Sequence, residues 1–185
     1  RPCAPWRYGK MLGEGQEGLY RQPLSVSKRE QGQSNAFIPF PRFGVETMSE
    51  PIVINIPEIV GKGYGAFWNS RKRYRVVKGG KASKKSSTAA LWFIYHLMAL
   101  PESNLLVVRN VFNTLHDSCY AQLRWAIHRL RVDHLWKATE NPLELKYIPT
   151  GQRILFRGFD DVDKLASTTV DNGYLCWVWL EEAFE

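Results

Sequence analysis

From Arg73 onward, apolar residues fall into short blocks separated by breakers, and the period of the blocks changes along the chain. Tyr74, Val76 and Val77 read as a short buried strand. The breaker-rich segment Lys78-Gly79-Gly80-Lys81-Ala82-Ser83-Lys84-Lys85-Ser86 follows, and then an apolar helix to about Ala99, ended by Pro101 and Asn104. Leu105-Leu106-Val107-Val108 is a continuous apolar tetrad, the pattern of a parallel strand covered on both faces. Strand, turn, helix and strand in that order predict a βαβ unit.

Further on, Asn113 or Thr114 is placed to cap a second helix to about Arg131, with Cys119, Leu123, Ala126, Ile127 and Leu130 on one face. Core packing accounts for that stripe. Leu143 to Tyr147 alternates, Pro149-Thr150-Gly151 turns, and Arg153 to Arg157 alternates again, which predicts a β-hairpin. A last strand, Leu175 to Leu180, ends on Glu181-Glu182. The fold class expected is α/β, a mainly parallel sheet flanked by helices, without internal repeats.

Residues 1–47 keep no period. Five prolines (Pro2, Pro5, Pro23, Pro39, Pro41) and six glycines punctuate them, so they read as an irregular or disordered extension. Met48 opens ordinary globular patterning, and 48–185 is expected to be one domain, incomplete at its C-terminus. The extension suits a linker, a tag-like segment or translated sequence upstream of the true start.

The 185 residues suffice for one domain, and 44% hydrophobic with 23% charged residues is a globular composition. The formal net charge of +7 favours a polyanionic partner. Its distribution says more: nine Lys or Arg and no acid lie between Val60 and Ala90, whereas Asp160, Asp161, Asp163, Asp171, Glu181, Glu182 and Glu185 crowd the end. Such asymmetry suits an anion held at one edge and a metal at another; a solvated basic face is the plainer reading of charge alone. Cys3, Cys119 and Cys176 have no CxxC spacing, and the four histidines form no HExxH motif, so neither a disulfide framework nor zinc is implied. The longest apolar run, Ala89 to Leu100, is too short for a membrane span, which needs about 20 residues.

The chemistry concentrates in two places. Gly79 to Ser86 fits the phosphate-binding loop (Walker A) pattern GxxxxGK[ST] at its first Gly, its Lys and its Ser, with Lys84 in place of the second Gly. In such a loop the successive amides of Gly79, Gly80, Lys81, Ala82, Ser83, Lys84 and Ser87 and the helix N-terminus bind phosphate oxygens. Lys85 neutralises the β/γ charge, and the Ser86 hydroxyl ligates Mg²⁺. The second place is the acidic strand end (Walker B), about 95 residues later. There Glu181 is expected beside the metal, and Glu182 to orient and deprotonate the attacking water. The strand ending near Val77 is therefore expected beside the strand ending near Leu180, so that Lys85 and Glu182 converge on one nucleotide. Arg71 and Tyr74 are the nearest wall for the adenine or ribose, or else a surface Arg and a packed aromatic.

From Ile54 to Glu185 the chain resembles the large terminase subunits of tailed phages, in the branch with a GGRGSxKS-like first motif and a Glu-Glu second motif. The resemblance rests on Arg73 to Gly80 leading into Lys85-Ser86-Ser87, Val107-Val108-Arg109, Leu115-His116-Asp117-Ser118, Gly151 to Gly158, Asp160-Asp161, Lys164 to Ser167, and Trp179 to Ala183. It implies a RecA-like ATPase motor in a homo-oligomeric ring, with ATP and Mg²⁺ as cofactors. It also implies work in the host cytoplasm at the procapsid portal vertex, with double-stranded DNA, the small terminase subunit and the portal protein as partners and no membrane. Lys81 stands where the family often has an Arg that stabilises the γ-phosphate, and an ammonium lacks the guanidinium fork. Ala82 replaces a frequent Gly. The family's nuclease domain is not within these 185 residues. Two alternatives remain: another P-loop enzyme, such as a helicase or small-molecule kinase, and a basic nucleic-acid-binding domain without catalysis, whose Tyr64, Trp68 and Tyr74 stack on bases.

Overall fold

The computed structural model describes residues 56–60 and 62–182, so the expected extension 1–47 lies outside the described residues. Its strands are β1 (Ser103–Arg109), β2 (Trp136–Glu140), β3 (Leu143–Tyr147), β4 (Arg153–Gly158) and β5 (Tyr174–Leu180). The α-helices are α1 (Ile56–Val60), α2 (Gly65–Trp68), α3 (Lys85–Ala99), α4 (Ala121–Arg129) and α5 (Val162–Ala166).

The apolar tetrad lies in an interior strand of the sheet, as suits a segment buried on both faces. The strand order is β2-β3-β4-β1-β5. β1 runs parallel to both β4 and β5, with Val107 opposite Phe156 on one side and Trp179 on the other. The predicted hairpin is β3–β4, with Leu145 opposite Ile154. Before it comes β2, a strand the pattern reading did not find, antiparallel to β3. The sheet is thus mixed: its β4-β1-β5 part is parallel and its hairpin edge antiparallel, which qualifies the expectation of a mainly parallel sheet.

Alternation along β1 divides the core. Leu105 and Val107 face α3 and α4, joining Trp92, Ile94, Leu97, Leu123, Ile127 and Phe156. Leu106 and Val108 face the other way, where Leu155 and the partly buried Leu165, Val170 and Leu175 cover them. No helix of the described residues is long and apolar enough to cross a membrane.

Two expectations fail. Tyr74 to Val77 is not a strand, so the βαβ unit lacks its first member, and the neighbour of β5 is β1. A strand needs a ladder partner, and among the described residues this segment has none. Tyr74 is 77% exposed and Val76 85%, while Arg75 turns inward. Its guanidinium stacks 3.9 Å from the Trp92 ring and donates to Ser70 O at 2.6 Å. The second helix is also not continuous. A 3₁₀ turn (Phe112–Thr114) and a π-helical turn (His116–Tyr120) precede α4. Thr114 Oγ1 donates back to Val111 O at 2.7 Å instead of capping. The Tyr120 N to Leu115 O bond, 3.0 Å, spans one residue more than an α-turn. That extra residue re-phases the helix, so that Leu115, Cys119 and Tyr120 are buried along with Leu123, Ala126, Ile127 and Leu130.

Candidate functional site

The site lies where α3 begins and where β1 and β5 end. Because β1 and β5 are parallel, their C-terminal residues reach the same edge of the sheet. The loop entering α3 is shaped by its small residues and by two left-handed ones. Ser83 N donates to Gly80 O at 3.4 Å, and a Cβ on Gly79 would stand 3.0 Å from Ser83 Oγ. Ala82 and Lys84 both have φ of 62°. Lys84 occupies the position where the phosphate-loop pattern asks for glycine, and its backbone adopts the conformation that makes glycine the usual choice, at a cost of about 1–2 kcal/mol for an L-residue. Tyr64, just before α2, supports the loop from outside by donating its hydroxyl to Ser83 O.

The first hydrogen bond of α3 runs from Thr88 N to Lys84 O at 2.9 Å, so the amides of Lys85, Ser86 and Ser87 are the free donors of its opening turn. Over that turn Lys85 Nζ donates to Gly79 O at 2.6 Å, Gly80 O at 3.1 Å and Ser83 Oγ at 3.4 Å. Positive charge and free amides are therefore gathered at one helix N-terminus, an arrangement that attracts anions.

Across from it, Ser86 Oγ donates to Glu181 Oε1. Glu181 is held twice more: its other carboxylate oxygen accepts from Trp179 Nε1 at 2.8 Å, and its amide donates to Val108 O at 3.1 Å. Glu182 turns away. Its backbone is left-handed at φ 53°, and its carboxylate pairs with Arg109, which also donates to Thr114 O at 3.2 Å. Cys119, buried nearby, is kept a neutral thiol: burial and then the Glu181 charge push its pKa to about 12, which argues against a nucleophilic role.

The structure therefore brings together Ser86 with Glu181, and Lys85 with the Gly79, Gly80 and Ser83 backbone and side chain. A cavity of about 190 Å³ is lined by Ala82 to Ser87 and by Gln122. Lys81 is exposed at the tip of the loop. Arg71 and Tyr74 are exposed and do not line that cavity; the Tyr74 ring carries the Arg73 guanidinium 5.6 Å from its centre. Sequence reasoning gave no role at this site to Arg109, Trp179, Tyr64 or Gln122, although Tyr64 entered it as a base-stacking aromatic and Arg109 and Trp179 within the stretches that carry the resemblance. Arg109 had a readable signal, a charge directly after the apolar tetrad, and Trp179 had one in the alternation of β5. Gln122 had none, being one polar residue beside a core leucine.

As a metal centre the site is sparse. Among the described residues no group of three or more His, Cys, Asp or Glu side chains could hold an ion. One hydroxyl and one carboxylate are hard oxygen donors of the kind Mg²⁺ uses when phosphates and water complete its shell.

Comparison with known proteins places these elements in a family. A family model described as phage terminase large subunit matches residues 71–185, which include the loop, β1 and the acidic end of β5. The chain is 44% identical over 110 residues to the "Terminase, large subunit" of Bacillus phage SPP1, covering 60% of this chain and 26% of that protein. It is 33% identical over 118 residues to the "PBSX phage terminase large subunit" of Bacillus subtilis (strain 168), covering 64% of this chain and again 26% of the relative. The chain thus spans about a quarter of the length of the curated relatives it matches.

Proposed function

We propose that this chain, which belongs to the phage terminase large subunit family, carries the ATP-hydrolysing site of a DNA-packaging motor. The contact between Ser86 and Glu181 carries the proposal, because it joins two sequence-distant motifs at the mouth of a lysine-lined helix N-terminus. The residues fit a magnesium nucleotide: the free amides of Lys85 to Ser87 and the Lys85 ammonium suit phosphate oxygens, and Ser86 with Glu181 suits the ion. Mg²⁺, when bound, would neutralise charge on the β- and γ-phosphates.

The remaining work belongs to the chain. Lys85 stays with the phosphates through the reaction, and Lys81 adds exposed charge at the tip of the loop, in the place of a γ-phosphate contact. Glu182 takes the proton of the attacking water, which requires its carboxylate to leave Arg109. Exposed Arg71, Lys72, Arg73 and Lys78 supply basic surface for double-stranded DNA or a neighbouring subunit. In the complete protein we place the motor as a ring at the procapsid portal vertex in the host cytoplasm, working with the small terminase subunit and the portal protein. Family membership weighs against a helicase or small-molecule kinase that would share only the loop and the acidic strand.

The test is a pair of variants in the full-length protein. Glu182→Gln keeps shape and loses the base, so ATP still binds while hydrolysis falls about 10²-fold or more. Lys85→Ala weakens nucleotide binding and turnover together. Parent-like hydrolysis by Glu182→Gln would remove Glu182 as the base and make Glu181 the next candidate.

A further inference from the structure

One side chain of the loop cavity comes from far along the chain. Gln122 stands in the first turn of α4, beside the buried Leu123 and directly after the π-helical turn that sets the phase of that helix. That phase points Gln122 at the start of α3. Its Oε1 accepts from Ser87 Oγ at 2.9 Å, across 35 residues of sequence, and it lines the same cavity as Ala82 to Ser87.

We propose that Gln122 is a nucleotide-contacting residue whose side-chain amide donates to the α-phosphate of the nucleotide held by the loop. The proposal rests on the ATPase reading above. With Oε1 turned to the Ser87 hydroxyl, the Gln122 NH₂ group keeps both its donors for the cavity. An anionic oxygen is the partner such a group prefers. The position along the helix selects which one: Lys85 and Ser86 serve the β- and γ-phosphates and the metal, so the next residue, Ser87, and the glutamine tied to it stand one phosphate further back, toward the ribose. Gln122 thereby couples α4, and the π-turn before it, to whether the loop holds a nucleotide.

The alternative is a tether, in which Gln122 only fastens α4 to α3 through Ser87. Two substitutions separate these. Gln122→Ala removes both the acceptor and the donors. Gln122→Glu keeps an acceptor for the Ser87 hydroxyl but replaces the donors with a charge that repels phosphate.

The experiment titrates the full-length protein with fluorescent N-methylanthraniloyl ATP and ADP, and measures kcat and KM for ATP, with Lys85→Ala alongside. Gln122→Ala is expected to raise KM and both nucleotide Kd values about tenfold with kcat within about twofold, as loss of one charge-assisted hydrogen bond does. Gln122→Glu is expected to bind more weakly still. ATP and ADP suffer equally, since both carry the α-phosphate. Parent-like affinity of Gln122→Glu overturns the proposal in favour of the tether, and so does a loss confined to ATP. If Lys85→Ala also binds like the parent, the loop is not the nucleotide site, and the failure belongs to the functional reading itself.

Discussion

The two ends of the parallel strands are built on opposite principles. At the N-terminal end, polar groups are buried and saturated. Gln152 is 1% exposed, and its amide reaches Leu97 O, Leu100 O and Ser103 O, each at 2.8 Å. Asn104, fully buried, donates to Asn172 O at 2.8 Å and accepts from Arg153 N at 2.7 Å. These two amides join the end of α3 to the starts of β1, β4 and β5. At the C-terminal end the groups are charged and partly exposed, and the backbone is left-handed at Ala82, Lys84 and Glu182. One end closes the sheet, and the other holds donors and charges ready for a ligand. Left-handed backbone occurs at both ends, since Glu102 just before β1 has φ of 67°; what separates them is that free amides and charges collect where binding energy can offset them, whereas the buried polar groups of the clasp end satisfy one another.

Substitutions at the two ends should therefore fail differently. The largest effect expected is from Gln152→Ala, which removes the two N–H donors that these buried carbonyls share and leaves a hole beside α3. It should lower stability by about 3 kcal/mol, read as a fall in the urea midpoint, with nucleotide affinity unchanged under folding conditions. At the other end Ser86→Ala removes a hydroxyl from the expected ion. It should raise the Mg²⁺ concentration for half-maximal ATP hydrolysis about tenfold while leaving the urea midpoint near the parent value. A large loss of stability in Ser86→Ala would erase the contrast.

Acid should act on the packed body of the molecule before it acts on the loop. His96 stacks on Trp92 with ring centres 3.8 Å apart, and burial lowers its pKa to about 4. Since the unfolded histidine titrates near 6.5, the unfolded chain binds the proton more readily. Stability is thus complete above about pH 6.5, falls as pH drops toward 4 on the order of 1 kcal/mol per pH unit, and levels off below. Urea midpoints across that window, compared with those of His96→Gln, check the slope. The smallest effect is expected at Ala82→Gly, where removing a Cβ from a left-handed residue relieves strain but adds freedom to the unfolded chain. The net change should stay within about 1 kcal/mol. A strongly destabilised Ala82→Gly would mean that the left-handed loop residue contributes packing that its exposed position does not suggest.

Much of this contrast was legible in the sequence where its causes are local. The turn before α3, the apolar tetrad of β1, the hairpin β3–β4 and the acidic end of β5 follow from period, breakers and chain order. Lys84 was legible as the residue in the glycine position, and the structure adds that its backbone is left-handed. The helix after β1 was legible as a buried stripe but not as a π-turn, because an inserted residue changes phase without changing composition.

By itself the sequence determined the local chemistry: a lysine and a serine opening a helix after two glycines, and two carboxylates following an apolar strand. These depend on neighbours within a few residues, whose spacing fixes period and turn geometry; that the last strand lies at the sheet edge with Val178 and Leu180 exposed was not among them. Tertiary structure alone decided that Glu181 meets Ser86 while Glu182 is taken by Arg109, that Gln122 reaches Ser87, and that the apolar Tyr74 to Val77 stays unpaired among the described residues. Each of these depends on which distant segment lies alongside, and a pattern of period two or 3.6 carries a segment's preference for a face but not the identity of what it faces.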